Sequence, residues 1–273
     1  MMVLPETTGT FRWAQTASGP ALVCDALAPF ARHLFTTRRW TLGRSIGADD
    51  DYRNGWREVA AAVDVDPGDL VRVHQVHGAS AVVVRRRGSG DAAPGAQLPD
   101  ADILTTDDPD VALAIQTADC VPILLADRRT GAVAAAHAGW RGLAARVPAA
   151  AVDALVREFG SRPEDLIAAV GPSISASRYE VDTDVMARFE QSGFSVEHIG
   201  RWFYDGERAA HWYFEGSQSA RDQLEVAGLP PGQIHLAHLC TATHGDWLCS
   251  YRRDGRASGR MAAVIRRGGD TIG

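Results

Sequence analysis

Residues 117–142 read TADCVPILLADRRTGAVAAAHAGWRG, and this stretch decides the fold. Two short apolar runs, 121–126 and 132–136, flank a polar group that contains Gly131. Short apolar runs on either side of a polar turn predict a buried β-hairpin rather than a helix. Pro122 has no N–H to donate to a neighbouring strand, so it predicts an edge strand or a strand start.

The register of this hairpin predicts a metal site. If residues 127–130 form the turn, Cys120 lies directly opposite His137. Opposed residues have Cβ atoms about 4.5–5.5 Å apart, and a thiolate and an imidazole bind one metal ion at about 2.3 and 2.0 Å. A Cys beside an apolar run is most often a buried small side chain, but Asp119 next to it and the turn 139–142 favour a functional site. A slip of one residue would turn one ligand to the other face.

Residues 70–77, LVRVHQVH, alternate in polarity and predict a strand that points His74 and His77 to opposite faces. Only one of the two histidines can then reach the metal. Gly78 allows close backbone approach after His77, so His77 is predicted as the third ligand. We expect His74 to be a structural or substrate-contacting residue. We expect Gln75 to lie near the substrate as well.

The composition is that of an ordinary globular protein. The chain has 273 residues, of which 45% are hydrophobic and 23% charged, enough for one large core, and we expect a single domain over residues 1–273. The net charge of −6 disfavours nucleic acid as a partner. No apolar run is long enough for a membrane helix, and the N-terminus does not resemble a signal peptide, so we expect a cytoplasmic protein. The sequence leaves the oligomeric state open.

Cysteine and lysine usage exclude several kinds of site. The four cysteines, at positions 24, 120, 240 and 249, have no C-x-x-C spacing, which disfavours a zinc knuckle or a disulfide scaffold. All 28 basic residues are arginines, which excludes Schiff-base chemistry and a P-loop lysine. Arg141 lies in a turn that opens a predicted helix, where free N–H groups suit an anion. It is predicted to bind an anion together with Arg252 and Arg253, and Tyr251 is a further candidate for the same pocket.

The remaining elements are predicted from periodicity and turn residues. Asp100 and Asp102 precede a strand and could serve a cation, but acids in this position are more often solvated turn residues, which is the interpretation favoured for both. The aromatic segment 202–214 is expected to be core or lid, and residues 89–99 a surface loop. The other expected elements are strands over 9–14, 21–24, 33–37, 167–170 and 234–239, helices over 56–63, 143–159, 185–191 and 217–227, and a second hairpin pairing 246–253 with 260–267.

Five motifs together resemble the laccase-domain family, also called the YfiH/YlmD-like or polyphenol-oxidase-type family. They are HQVHG at 74–78, TADCVP at 117–122, HAGWRG at 137–142, GPSI at 171–174 with YEV at 179–181, and CT at 240–241 with SYRRDG at 250–255 and GRM at 259–261. The resemblance implies an α+β fold: a layered α/β sandwich with mixed, largely antiparallel sheets. It also implies a zinc ion held by His77, Cys120 and His137.

The same resemblance implies a function. Members are similar to zinc-dependent purine nucleoside phosphorylases that also deaminate adenosine and cleave methylthioadenosine, so a nucleoside and phosphate are the expected partners. Cys120, His137, Asp119 and Arg141 are then the predicted catalytic residues. Two alternatives stay open: a copper-dependent polyphenol oxidase, and a hydrolase with Cys120 as nucleophile and His137 as base. The nine histidines are scattered, which disfavours a multicopper cluster.

Overall fold

The computed structural model describes residues 3–40, 42–43, 49–85 and 98–268, and the side chains of 49–51 are not included. Part of the predicted surface loop, residues 89–97, lies outside the described residues. The strands of the described part are β1 (Phe11–Thr16), β2 (Gly19–Cys24), β3 (Ala31–Thr36), β4 (Leu70–Val71), β5 (Ala81–Val83), β6 (Ile103–Thr106), β7 (Ala112–Thr117), β8 (Val121–Asp127), β9 (Val133–Ala138), β10 (Leu166–Val170), β11 (Glu180–Asp182), β12 (Phe203–Asp205), β13 (His211–Phe214), β14 (Ile234–Leu236) and β15 (Met261–Arg267). The helices are α1 (Asp49–Ala62), α2 (Trp140–Ala144), α3 (Val147–Phe159), α4 (Thr183–Gln191), α5 (Val196–Trp202), α6 (Gly216–Val226) and α7 (Tyr251–Asp254).

The elements form a layered sandwich around two six-stranded sheets. The first sheet has the order β1-β2-β3-β15-β7-β4, and the second has the order β14-β10-β8-β9-β6-β5. Most neighbours are antiparallel, with parallel pairs at β4/β7, β5/β6 and β10/β14. A small third sheet, β11-β13-β12, lies beside the helices. None of the helices in the described part is long and apolar enough to cross a membrane.

Three apolar clusters hold the layers together. One packs α1 on the outer face of the first sheet, with Trp40 and Trp56 as its largest members. A second fills the space between the two sheets and includes Phe35 of the first sheet and Leu124 of the second. A third packs the second sheet against the helices and the aromatic segment; Trp202 and other rings of that segment are buried there. Because β8 and β9 contribute to both inner clusters, every one of their residues is buried.

The central hairpin forms, with a longer loop than predicted. Ala126 pairs with Val133, so residues 127–132 separate the paired strands, and Pro122 lies opposite His137. The predicted opposition of Cys120 and His137 is therefore wrong by two residues. The side chain of Asp127 accepts hydrogen bonds from the N–H groups of Arg129 and Thr130, and this local turn lengthens the loop. Pro122 is at a strand start, as predicted, but β8 is an internal strand rather than an edge.

Three further predictions need correction. The strand predicted over 70–77 ends at Val71, and the chain from 72 to 80 is irregular. The helix predicted over 143–159 is divided into α2 and α3, because Arg146 adopts a left-handed conformation at φ 63°. The second hairpin is absent from the described residues: α7 occupies part of its first arm, and β15 pairs with β3 and β7 instead.

Candidate active site

The structure brings His77, Cys120 and His137 together at one end of the second sheet. The ligand atoms of these three side chains all lie within 4.8 Å of one another, and they form a group that can hold a metal ion. The Cys120 Sγ is 4.0 Å from the His77 Nε2. A separation of this size can be spanned by one metal ion with bonds of about 2.3 Å to sulfur and 2.0 Å to nitrogen.

His77 reaches this group by a route other than strand alternation. It lies in the irregular segment after β4, with a left-handed backbone at φ 60°. That conformation is uncommon for a residue with a side chain, and the carboxylate of Asp102 holds it in place. Asp102 accepts hydrogen bonds from the N–H groups of Val76, His77 and Gly78, at 3.3, 3.0 and 2.6 Å.

The same carboxylate orients the second imidazole. The Asp102 Oδ1 is 2.8 Å from the His137 Nδ1, and both side chains are almost completely buried. A carboxylate on one ring nitrogen of a histidine leaves the other nitrogen for a metal ion and fixes the ring orientation. The interpretation of Asp102 as a solvated turn residue is therefore wrong, whereas Asp100 is exposed and bonded to His74.

The buried charges change the acidity of the group. Burial alone would raise the pKa of the Cys120 thiol, but hydrogen bonds to His137 and His77 outweigh it and lower that pKa to about 6. Burial would lower the pKa of His137, whereas Asp102 and Cys120 raise it to about 9. Cys120 is therefore a thiolate near neutral pH, the form that binds metals and reacts as a nucleophile.

Asp119 anchors the C-terminal part of the chain beside this group. Its backbone is left-handed at φ 88°. Its carboxylate accepts the hydroxyl hydrogen of Thr241 at 2.6 Å and the N–H of Arg252 at 2.6 Å. Because both oxygens are engaged, Asp119 positions α7 against the start of β8.

His77, Cys120 and His137 together are called the metal group. A groove with a volume of about 560 Å³ has Trp140 in its lining, and Trp140 follows Gly139, which packs against His77 and Cys120. Arg141 and Arg252 both line it, and each guanidinium lies over an aromatic ring of the same groove: Arg141 at 4.2 Å from the centre of Trp140, and Arg252 at 4.8 Å from the centre of Tyr179. Burial and then the negative charge of Cys120 raise the pKa of Tyr179 to about 12. The groove is therefore lined by three arginines, of which Arg208 is paired with Glu180 at 2.6 Å, and also by the carboxylates of Asp182 and Asp184.

Four predicted substrate contacts lie elsewhere. His74 is exposed and bonded to Asp100. The side-chain amide of Gln75 makes two hydrogen bonds with the backbone of Gln116 and so holds the segment after β4 to β7. Tyr251 is half exposed and outside the groove lining.

Arg253, the fourth of these residues, has a structural role. Its guanidinium donates to the carbonyl oxygens of Thr241, Ala242 and Leu248 and to both carboxylate oxygens of Asp254. With its donors used within the fold, Arg253 has none left for phosphate. The prediction that Arg253 binds phosphate therefore conflicts with the structure.

A family model described as multi-copper polyphenol oxidoreductase laccase matches residues 41–268. The chain belongs to this laccase-domain family. A purine nucleoside phosphorylase from Deinococcus radiodurans is 39% identical over 252 residues, covering 88% of this chain and 91% of that protein. The adenosine deaminase RL5, from an unknown prokaryotic organism, is 32% identical over 211 residues, covering 77% and 79%.

Solved structures of laccase-domain relatives have the same fold. YlmD from Geobacillus stearothermophilus superposes with a TM-score of 0.82 at 29% identity, over 93% of this chain and 98% of that one. The YfiH protein of Bacillus licheniformis gives a TM-score of 0.80 at 30% identity, over 90% and 96%. These matches confirm the family resemblance and the layered α+β fold expected from the five motifs.

Proposed function

We propose that the chain is a zinc-dependent purine nucleoside phosphorylase acting on adenosine, inosine, guanosine and methylthioadenosine, with adenosine deamination as a side activity. The observation that carries the proposal is the pair Arg141 and Arg252 in one groove beside His77, Cys120 and His137. The names of two relatives, a purine nucleoside phosphorylase and an adenosine deaminase, support the same reading.

The side chains of the group fit zinc. One thiolate and two imidazoles are ligands that zinc prefers, and catalytic zinc sites have three protein ligands. Cys120, with its pKa near 6, is ready to bind a metal at neutral pH, and Asp102 orients His137 for it. When bound there, zinc would supply a Lewis acid for an oxygen atom of a substrate.

The two arginines suit the phosphate of a phosphorolysis. A guanidinium presents a planar fork to phosphate and keeps its charge at any physiological pH. In the proposed reaction a phosphate oxygen forms a bond to the anomeric carbon while the bond from that carbon to the purine nitrogen breaks. The electron pair of that bond leaves with the purine, which takes up a proton. Arg141 and Arg252 hold the phosphate for this attack, and Trp140 and Tyr179 fix the two guanidiniums.

The oxidase alternative requires more metal ligands than this group offers. Multicopper chemistry needs several copper sites, but His77, Cys120 and His137 are the only such group of His, Cys and acidic residues in the part of the chain that the structure describes. A single copper ion on a thiolate and two imidazoles is typical of electron-transfer sites. Phenol oxidation is therefore the less supported function.

The hydrolase alternative has one specific observation in its favour. Asp102 is 2.8 Å from His137, and His137 lies within 4.8 Å of Cys120, so the three side chains follow the order acid, imidazole and thiol of a nucleophilic triad. In such an enzyme Cys120 attacks the substrate itself, and no metal is needed. Metal dependence separates this function from the proposed one.

The test combines metal analysis with a turnover assay. Protein purified without added metal should contain one zinc per chain and cleave inosine only when phosphate is present. Cys120→Asp keeps an anionic metal ligand, so it should regain some zinc and a trace of phosphorolysis. Activity that resists chelators and is lost in step with alkylation of Cys120 would instead establish the hydrolase, and phenol turnover that rises with copper would establish the oxidase. Zinc-loaded protein that leaves adenosine, inosine and methylthioadenosine intact in phosphate would refute the proposal.

The role of Arg141 has a separate test. Arg141→Lys keeps the charge but loses the planar fork, so the KM for phosphate should rise about tenfold, the cost of one charge-assisted hydrogen bond. Arg157→Lys, on the exposed side of α3, is the matched control and should leave KM unchanged. Equal KM values in the two variants would place the phosphate site elsewhere.

A further inference from the structure

A second cavity, with a volume of about 240 Å³, lies on the same edge of the second sheet and shares no lining residue with the groove. It lies where the parallel strands β10 and β14 end and where α6 begins. Val170, the last residue of β10, pairs with Ile123 of β8, so this cavity and the metal group lie at the same end of neighbouring strands. Ligands commonly bind at the carboxyl ends of parallel strands.

The first turn of α6 offers unpaired hydrogen-bond donors to this cavity. Helix α6 has eleven residues, and its N-cap Glu215 makes no side-chain capping bond. Within the described part of the chain, the N–H groups of Ser217 and Gln218 have no acceptor. Such groups carry the positive end of the helix dipole and favour an acceptor atom of a ligand.

Ser173 is a second, independent sign of a ligand. This residue lines the cavity, and only 6% of its surface is exposed. Its backbone is bonded to Leu239 and Thr241, whereas its hydroxyl group has no partner among the described residues. A serine hydroxyl can both donate and accept, so the hydroxyl of this largely buried residue is free to bond to a polar ligand in the cavity.

Glu215 restricts the charge of that ligand. Its carboxylate lines the cavity and accepts hydrogen bonds from the N–H of Ala176 at 2.9 Å and the hydroxyl of Ser217 at 2.7 Å. Each oxygen keeps a further lone pair for a ligand donor. Because this carboxylate repels a free anion, the ligand is neutral and offers a carbonyl oxygen to the helix and an N–H to Glu215.

The size of the cavity sets the class of molecule. A volume of about 240 Å³ exceeds the roughly 150 Å³ that holds a benzene ring and is below the range of about 300–1,000 Å³ for drug-sized ligands. The walls formed by Val170, Ala237 and Leu239 are apolar and suit the faces of a ring. A flat two-ring heterocycle fits these limits.

We propose that this cavity binds a free purine base with a lactam edge, such as hypoxanthine or guanine, as a second site distinct from the metal group. The inference rests on the proposed function, which releases such a base. The carbonyl oxygen of the base accepts from the first turn of α6, and the adjacent ring N–H donates to Glu215. Adenine has an acceptor nitrogen and an amino group in these two positions, so the cavity discriminates against it.

Cys240 lines the same cavity and reports on its occupation. As-purified protein is treated with a thiol-alkylating reagent in phosphate-free buffer, and labelling of Cys240 is read by peptide mass spectrometry. Because the signal comes from a thiol in the lining of the second cavity, a base bound at the metal group is not counted. Hypoxanthine should slow the labelling of Cys240 with a saturable concentration dependence, and adenine at the same concentrations should not.

Two variants test the assigned contacts. Ser173→Ala removes a hydroxyl group that makes no bond within the described structure, and Glu215→Gln removes the carboxylate. Each should weaken protection by hypoxanthine about tenfold, as expected for one hydrogen bond to a buried polar group. Ser192→Ala, at a partly exposed position outside the cavity lining, is the control and should behave as wild type.

The proposal is wrong if hypoxanthine does not change the labelling rate of Cys240, or if adenine slows the labelling equally. It is also wrong if hypoxanthine protects Cys240 fully in both cavity variants. Phosphorolysis of inosine is measured separately on the same preparation. Turnover without protection of Cys240 refutes only the second site, and protection without turnover refutes only the phosphorylase function.

Discussion

Asp102 is buried, and its carboxylate accepts hydrogen bonds from the N–H groups of residues 76–78 and contacts the imidazole of His137. In Asp102→Asn the amide N–H₂ replaces one carboxylate oxygen. At Oδ1 it faces the His77 N–H and the His137 Nδ1–H, and at Oδ2 it faces the N–H groups of Val76 and Gly78, so one set of bonds is lost in either orientation. We expect the affinity for zinc, measured by competition with a chromophoric chelator, to fall about 10- to 100-fold. Asp100→Asn alters an exposed carboxylate two residues away and is the matched control. If both variants bound zinc equally well, the orienting role of Asp102 would be wrong.

The importance of Asp102 could not be found from the local pattern. Asp100 and Asp102 stand before the same strand, and nothing in their neighbours distinguishes the exposed carboxylate from the buried one. The difference arises because the chain after β4 folds over Asp102 from more than twenty positions away. Residue types with strong chemical preferences, such as Cys120 and His137, were recognisable in the sequence, whereas a carboxylate that acts through other residues was not.

At the level of elements, the central hairpin shows that the site prediction survives an error in strand register. The predicted register differs from the structure by two residues, and an even shift keeps each side chain on its face of the sheet. His137 therefore keeps its face, and Cys120, just before β8, still meets it. The choice of His77 came from a strand that does not form, so the alternation argument for it was wrong. The signal that did apply was Gly78, which follows the left-handed His77 and bonds to Asp102.

The junction between β9 and α2 must be a glycine because the metal group packs against it. A Cβ atom at Gly139 would lie 2.9 Å from the His77 Cδ2 and 3.0 Å from the Cys120 Sγ. Gly139→Ala has a backbone conformation open to alanine, at φ −69° and ψ 172°, so its effect should be on the two ligands. We expect bound zinc per chain, measured by elemental analysis, to fall by at least half. Gly200→Ala, where nothing lies within 4 Å of the new atom, should retain full zinc. Full zinc in both would show that the ligands adjust freely.

The pairing of β2 and β3 contains a pH-dependent contact. The His33 Nε2 accepts the N–H of Cys24 at 2.8 Å, and its Nδ1 is 3.0 Å from the Ala31 oxygen. Burial lowers the pKa of His33 to about 4 from 6.5. Because the pKa of His33 is lower in the folded state than in the unfolded state, the stability that the neutral His33 gives the fold is complete above pH 6.5 and is lost as the pH falls to 4.

Between pH 6.5 and pH 4, protonation of His33 should lower the free energy of unfolding by up to about 3 kcal/mol. The free energy of unfolding, from urea titrations between pH 7 and pH 4, should therefore fall less steeply in His33→Gln than in wild type. His74→Gln, at an exposed histidine, should keep the wild-type slope. A wild-type slope in His33→Gln would mean that His33 does not titrate in this range.

At the level of the whole molecule, the sequence predicts the positions of the strands better than the order of the strands within each sheet. Alternating and apolar runs identify most strands within a few residues, but β15 lies between β3 and β7, which no local pattern could indicate. The error over residues 246–267 has this origin, because turn residues near Asp254 suggested a local partner for a strand that pairs with distant ones. The layered class could be expected because the five motifs identified the family.

The metal group connects three parts of the chain that local structure leaves separate. His77 comes from the irregular segment after β4, Cys120 from the start of β8 and His137 from the end of β9. A metal that binds only the folded chain stabilises it by about 4 kcal/mol at a thousandfold excess over its Kd. For a protein of this size that corresponds to roughly 10 °C in Tm.

Removal of zinc with a chelator should therefore lower the Tm of wild-type protein by about that amount in scanning calorimetry, and added zinc should restore it. Cys120→Ala, which lacks the thiolate, is the control: its Tm should be low from the start and should not respond to the chelator. Because this readout needs no substrate, it separates metal binding from catalysis. A wild-type Tm that is indifferent to both chelator and zinc would leave Cys120 free to act as a nucleophile, with Asp102 and His137 as its partners.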